Sequence, residues 1–431
     1  MPRATLWHVL NPPRRLLMGS GPSNAEPRVL QAMVAAPLAP DDPAFALLLH
    51  DVTHLGRTVF RTKRDGVVFC PGASRAGIEA VIASVVEPED RVLVGAYGHF
   101  GELLCTLAIR HGARLERIDA PWGEPVDADR MAASIRNNPP DLVAIVHADT
   151  STGILQPLEA IGAACRETGA LLLVDAVLSI GGCRVEVDGW SVDAAVGGLQ
   201  KCLGGPPGLA PVVFSDRLAD ALAARRSRPR TAYLDLRPLA AAWIERRGLE
   251  AMDMPTPMLL AAREALRMIV DEGLDARWQR HERAGRALRA GLEAIGLELF
   301  GNRACSAPMI TLVRVPDGVA DAAVREQLLV QHGIEIMAAF GPLRGRVWRI
   351  GTMGTNACLS SVLAVLAALE AVLPSHGFAV SRGAAVDAAL EVRPTSRFSA
   401  QDAVGRTSCP RAPRKAAEKV ETDSESRWPP S

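Results

Sequence analysis

The chain has 431 residues, 48% of them hydrophobic, with 48 basic and 48 acidic side chains. Zero net charge gives no electrostatic reason to expect nucleic acid or an anionic membrane surface as a partner. The length suits a large α/β unit with a smaller companion, and the eight cysteines, with no C-x-x-C pair, indicate neither a zinc site nor a disulfide framework. Such cysteine usage fits a reducing, cytoplasmic setting, and no metal is expected.

Residues 1–22 read as an N-terminal arm. Its "MPRATLWHVLNPPRRLL" has too short an apolar core and too many prolines and arginines for a signal peptide. Residues 23–275 read as a large α/β unit. The short apolar runs "GVVFC", "RVLVGAY", "DLVAIVHAD", "ALLLVDAVLS" and "DAAVGG" predict buried strands, each leading into a turn. Amphipathic stretches such as "SRAGIEAVIASVVE" and "LEAIGAACRETG" lie between them, which argues for a mostly parallel sheet covered by helices. One long helical pattern near 258–298 leads into residues 276–387, a smaller α+β unit with strand-like "MITLVRVP", "GIEIMAAFG" and "RVWRIGT". The most apolar segment, "LSSVLAVLAALEAVL", is shorter than a membrane span, carries Glu370 and repeats at helical spacing. From 388 to 431 apolar periodicity is lost among Pro, Ser, Arg and Lys, and this tail is read as disordered.

The chemistry gathers at predicted strand ends, where parallel sheets bind ligands. Asp175 follows "LLLV", Thr150 follows "AIVHAD", and Gln200 and Lys201 follow "AAVGG". Ser74 and Arg75 open a helix after "GVVFC", and a helix start suits a phosphate. Each has a plainer reading alone: an aspartate or serine as a cap, a threonine as a turn residue, a lysine snorkelling to solvent. Together they describe a lysine that forms a Schiff base, a carboxylate facing a pyridinium nitrogen and a phosphate at a helix start. That set suits pyridoxal phosphate (PLP).

The segments "LLMGSGPSNAEPRVLQAM", "SRAGIEAV", "VDAVLSIGG", "LQKCLGGPPG" and "GPLRGRVWRIGTMG" resemble the class V aminotransferases of the alanine–glyoxylate type. Within them, "DTST" and "FGPLRGRVWRIGTMGTNA" look most like the branch that uses (S)-ureidoglycine and glyoxylate in purine catabolism. The resemblance covers roughly residues 10–390. It implies the fold-type I PLP architecture, with a mostly parallel seven-stranded sheet and a smaller C-terminal α+β domain, assembled as a homodimer. It also implies roles: Lys201 as the Schiff-base lysine, Asp175 as the pyridinium partner, and Phe100 stacked on the cofactor ring. Thr150 then lies near the phenolic oxygen, Ser74, Arg75 and Gln200 hold the phosphate, and Arg349 grips the substrate α-carboxylate. Read without the family, Phe100 is ordinary core and Arg349 a strand-edge surface residue.

Two departures bear on the substrate. The ureidoglycine branch carries a glutamine where Pro40 stands, and an "NHHT"-like segment reaching the neighbouring subunit where "EAMD", from Glu250 to Asp253, stands. Either Thr256 supplies the missing hydroxyl or the phosphate cup is weaker. Alanine or serine as donor, with glyoxylate or pyruvate as acceptor, therefore stays open, as does a non-catalytic relative that keeps the fold. Cysteine desulfuration is disfavoured by Phe100 at the stacking position, and Cys202 reads as buried packing.

Overall fold

The computed structural model describes residues 12–248 and 254–393. Residues 1–11, 249–253, with Glu250 and Asp253, and nearly all of the expected tail lie outside the described residues.

Seven strands make the central sheet: β1 (Val67–Pro71), β2 (Arg91–Ala96), β3 (Arg114–Asp119), β4 (Leu142–Val146), β5 (Leu171–Asp175), β6 (Ala194–Val196) and β7 (Leu209–Phe214). Their order is β1-β7-β6-β5-β4-β2-β3. All pairings are parallel except those of β7, which runs antiparallel to both β1 and β6. β1, β4 and β5 are buried at every position, as expected of strands covered on both faces. The mostly parallel α/β sheet inferred from the apolar runs is borne out.

The helix after β1, α1 (Ser74–Val85), crosses from one end of the sheet towards β2, and α2 (His99–Arg110) follows β2 directly. The connections therefore leave β4, β5 and β6 side by side, with their carboxyl ends opening on one cleft.

The single helical pattern expected near 258–298 is two helices, α3 (Thr256–Glu272) and α4 (Leu274–Ala294). Gly273 divides them at φ 82°, a left-handed conformation that ends one helix and turns the chain into the next. A second core follows, around an antiparallel sheet of order β8-β10-β9, with β8 (Ile310–Arg314), β9 (Met337–Ala338) and β10 (Val347–Gly351). The "GIEIMAAFG" run splits: Ile334–Glu335 pairs in parallel with Leu16–Leu17 of the arm, and only Met337–Ala338 joins the sheet.

The apolar helix α5 (Leu359–Val372) buries Val362, Val365, Leu366, Leu369 and Val372 in this core. With the turn that follows, to His376, it is long and apolar enough by composition to cross a membrane. Its Glu370, however, accepts the backbone N–H groups of Gly383 and Ala385, each at 2.7 Å. A last helix, α6 (Ala384–Leu390), crosses the expected tail boundary at 388, because Ala385 and Ala389 are buried in the same core.

Candidate active site

Lys201 sits in the turn that follows β6, and only 9% of it is exposed. Its Nζ donates to the carbonyl oxygen of Ser20 in the arm. Burial, with the charge of Arg349 adding, pushes the amine down to about 8. An amine so poised is unprotonated in a much larger fraction near neutral pH than a free lysine, as carbonyl chemistry requires. The loop around it is clamped from several sides. Ser23 donates its N–H to the Gln200 carbonyl and its hydroxyl to the Lys201 carbonyl, both at 2.9 Å. Arg277, on α4, donates to the Cys202 carbonyl at 2.6 Å. Cys202 itself is fully buried, and burial pushes its thiol up to about 12, as befits packing rather than reactivity.

Asp175 closes β5, buried, and accepts the N–H of Val177 at 3.0 Å. Burial, with the neighbouring Asp149 adding, raises its carboxyl to about 7. A buried carboxyl with so little internal compensation is suited to a cationic partner, which a pyridinium nitrogen provides.

Asp149, which the sequence places at the end of a strand, organises the cleft. Its carboxylate accepts the N–H and hydroxyl of Ser151 at 2.7 and 2.6 Å, and the N–H of Phe100 at 3.3 Å. The turn after β4 is thereby tied to the start of α2. The signal was present in "DTST", where an aspartate two residues before a serine favours an Asx turn. Thr150, between them, is buried.

At the start of α1 the N-cap is Ala73, which offers no side-chain acceptor; the Ala76 N–H turns back to Ala73 O at 2.7 Å, and the N–H groups of Ser74 and Arg75 face the open end of the helix. Gln200 donates to Ser74 Oγ at 2.7 Å, while its own Oε1 is buried without a partner. Rotating that amide lets the serine hydroxyl donate and turns the NH₂ outward as a donor. Arg75 is exposed at the rim. Gly198 borders this space; a Cβ there would lie 2.7 Å from Ser74 Oγ. An uncapped helix start, a serine, an arginine and an orphaned amide form a cradle that fits a phosphate.

Arg349 lies on β10, the middle strand of the small sheet, and is 3% exposed rather than a surface residue. Its Nε donates to Ala338 O at 2.8 Å and its Nη1 to Thr150 O at 3.3 Å. The guanidinium lies 4.2 Å from the ring centroid of Phe340. Burial lowers its pKa to about 10, which leaves it cationic at neutral pH. Phe100 stands edge-on to Phe340, with centroids 6.3 Å apart. The two specificity departures are not resolved alike. Pro40 lies in the turn before the helix Pro43–Phe60, half-buried, and the hydroxyl of Thr256 donates to Leu38 O at 3.2 Å.

The structure thus brings Lys201, Asp175, Thr150, Gln200, Ser74 and Arg349 to one cleft from both cores, with Phe100 and Arg75 beside it. A poised amine, a buried carboxyl and a phosphate cradle define a PLP site by their chemistry. The class V aminotransferase model matches residues 50–343, and the chain belongs to that family of PLP-dependent transaminases. It is 45% identical over 398 residues to the (S)-ureidoglycine–glyoxylate transaminase of Bacillus subtilis strain 168, covering 88% of this chain and 95% of that protein. It is 32% identical over 378 residues to the alanine–glyoxylate aminotransferase of Drosophila melanogaster, covering 87% and 96%. The crystal structure of the ureidoglycine–glyoxylate aminotransferase from Bacillus subtilis superposes with a TM-score of 0.87 at 46% identity, over 89% of this chain and 99% of that one.

Proposed function

We propose that this chain transfers the amino group of (S)-ureidoglycine to glyoxylate, as a cytoplasmic homodimer serving purine catabolism. The observation that supports the donor is the likeness to the ureidoglycine enzyme, 45% identity against 32% for the alanine–glyoxylate relative.

When bound, PLP supplies an electron sink for the substrate α-carbon. The residues of this chain do the rest. Lys201 would hold the cofactor through its aldehyde and, once displaced by the donor amine, would be the base that takes the α-proton and returns it. Asp175 would keep the ring nitrogen protonated, with Phe100 as the aromatic partner of the ring and Thr150 as a hydroxyl partner of the cofactor. Ser74, Arg75, Gln200 and the start of α1 would hold its phosphate. Arg349, fixed by Ala338, Thr150 and Phe340, grips the substrate carboxylate and so orients the α-carbon towards Lys201.

A second reading, alanine or serine as donor, is favoured by Pro40, whose side chain has no hydrogen-bonding group for a ureido substituent. The half-reaction separates the two. The visible absorbance of the PLP-loaded protein should collapse on adding ureidoglycine and return with glyoxylate. If alanine or serine discharges it and ureidoglycine does not, the donor assignment falls while the transaminase remains.

A further inference from the structure

His99 is the first residue of α2, immediately before Phe100. Its backbone N–H donates to Ser151 Oγ at 2.9 Å, within the turn organised by Asp149. Its imidazole stacks on Phe340, with centroids 4.4 Å apart and planes 26° apart, and the same phenyl ring carries the guanidinium of Arg349. Three side chains from three segments therefore form one stack, with the carboxylate-gripping arginine at one end. Phe340 also lines a cavity of about 360 Å³ with Asp321, Arg325 and Arg344, and His99, Phe100 and Arg349 pack against its ring.

The imidazole is half-buried, and among the described residues neither ring nitrogen has a hydrogen-bond partner. Burial, then the charges of Arg75 and Arg349, lower its pKa against the opposing pull of Glu102, which keeps the ring neutral with one donor and one acceptor. The ring nitrogens are thus open to a hydrogen-bonding group of a ligand bound beside Arg349.

We propose that His99 is a specificity-determining residue: stacked on Phe340, its free imidazole nitrogens meet the substituent of the donor beyond the α-carboxylate held by Arg349. The favoured donors are amino acids bearing a hydrogen-bonding group on the α-carbon, a ureido group among them. The naming of the ureido group rests on the donor assignment above. A site built to hydrogen-bond a substrate group discriminates against the analogue that lacks it.

The test uses His99→Phe, which keeps an aromatic ring on Phe340 and removes both nitrogens. Calorimetry on the PLP-loaded protein compares N-carbamoylglycine with butyrate, a carboxylate lacking the ureido group, alongside kcat/KM for ureidoglycine and alanine. In the wild type N-carbamoylglycine should bind more tightly. H99F should lose about three- to tenfold of that preference, the size of one neutral hydrogen bond, and its kcat/KM for ureidoglycine should fall by more than its kcat/KM for alanine. Phe340→Leu should instead weaken both carboxylates, because it loosens Arg349. A wild type without preference, or an H99F variant that retains it, overturns the proposal. A wild type that binds N-carbamoylglycine selectively yet does not turn over ureidoglycine overturns the donor assignment alone.

Discussion

Arg277 donates through Nη2 to the carbonyl oxygen of Cys202 at 2.6 Å, so the residue following Lys201 is held by a helix of the other core. The same guanidinium pairs with Glu272 at 2.6 Å, and Glu272 in turn binds Arg280, which donates to Gly354 O and Ala357 O. Ser23 grips the lysine loop from the opposite side. The arm, the lysine loop and the start of α4 thus form one hydrogen-bonded joint, and the position of the amine depends on all three.

Replacing Arg277 tests that joint. Arg277→Met should lower the unfolding free energy by about 2–3 kcal/mol, the range for charged hydrogen bonds, and should lower kcat as Lys201 loses its support. Arg277→Lys should recover only part of both losses, since an ammonium lacks the fork that reaches Glu272 and Cys202 together. Urea unfolding and steady-state kinetics on the three proteins decide it; a Met variant with wild-type kcat would show the joint to be structural only.

The pKa of Lys201 can be read directly in cofactor-free protein by following the pH dependence of amine labelling at that residue. The midpoint should fall near 8, and Arg349→Leu should move it upward, because a repelling positive charge is removed. A free lysine titrates near 10.4. The unfolded chain therefore binds more protons than the folded one between about 8 and 10.4, and stability of the cofactor-free protein should rise with pH across that window. A wild-type midpoint near 10 would count against the buried-amine account.

Acid should act through two buried imidazoles. His281 accepts the N–H of Gly354 at 3.0 Å through Nε2, while Nδ1 lies 2.8 Å from Arg277 O; the ring must be neutral to do both. Its pKa is driven well down by burial and by Arg277 and Arg280, and burial alone pushes His147 down to about 3. Unfolded histidine titrates near 6.5. Their stabilisation is complete above that pH and is lost below it, at about 1.4 kcal/mol per pH unit for each. His147→Phe, which retains an aromatic partner for Trp190, should remove one proton from that slope. Chemical denaturation at a series of pH values between 4 and 7 measures it, and an unchanged slope would mean that His147 is charged or exposed.

Gly21 approaches the lysine more closely than any side chain could. At φ 106° it is in a conformation other residues rarely adopt, and a Cβ there would lie 2.6 Å from Lys201 Cδ and 2.7 Å from Cε. Gly21→Ala should displace the amine from Ser20 and reduce turnover at least tenfold, with a loss of stability that a melting curve would report. Wild-type kinetics in that variant would show that the arm yields freely.

Much of the large sheet was legible because its strands are unbroken apolar runs. Two were not. β3 reads as polar "RLERID" because it is the edge strand, with only Ile118 buried, and β7 contains Pro211, a residue that usually argues against a central strand. Pro211 gives the ladder no N–H, but its carbonyl accepts the N–H of Gly197 at 2.8 Å. At the site, Lys201, Asp175 and Ser74 could be picked out as polar residues at strand ends and a helix start. His99, Phe340 and Arg277 could not, since each matters through a partner far away in the chain, and of Asp149 only the local turn with Ser151 shows, its bond to the Phe100 N–H being remote.

Residue order alone determined which groups stand at the carboxyl ends of β4, β5 and β6, because strand periodicity and turn chemistry are local. It also carried the motifs by which the family is recognised. What only the tertiary structure decided is the state of those groups: an amine near 8, a carboxyl near 7 and an arginine taken out of solvent. Desolvation and charge proximity set those states, and both arise from packing residues 18–23, 149–151, 175, 201 and 349 into one cleft, which no stretch of the chain contains by itself.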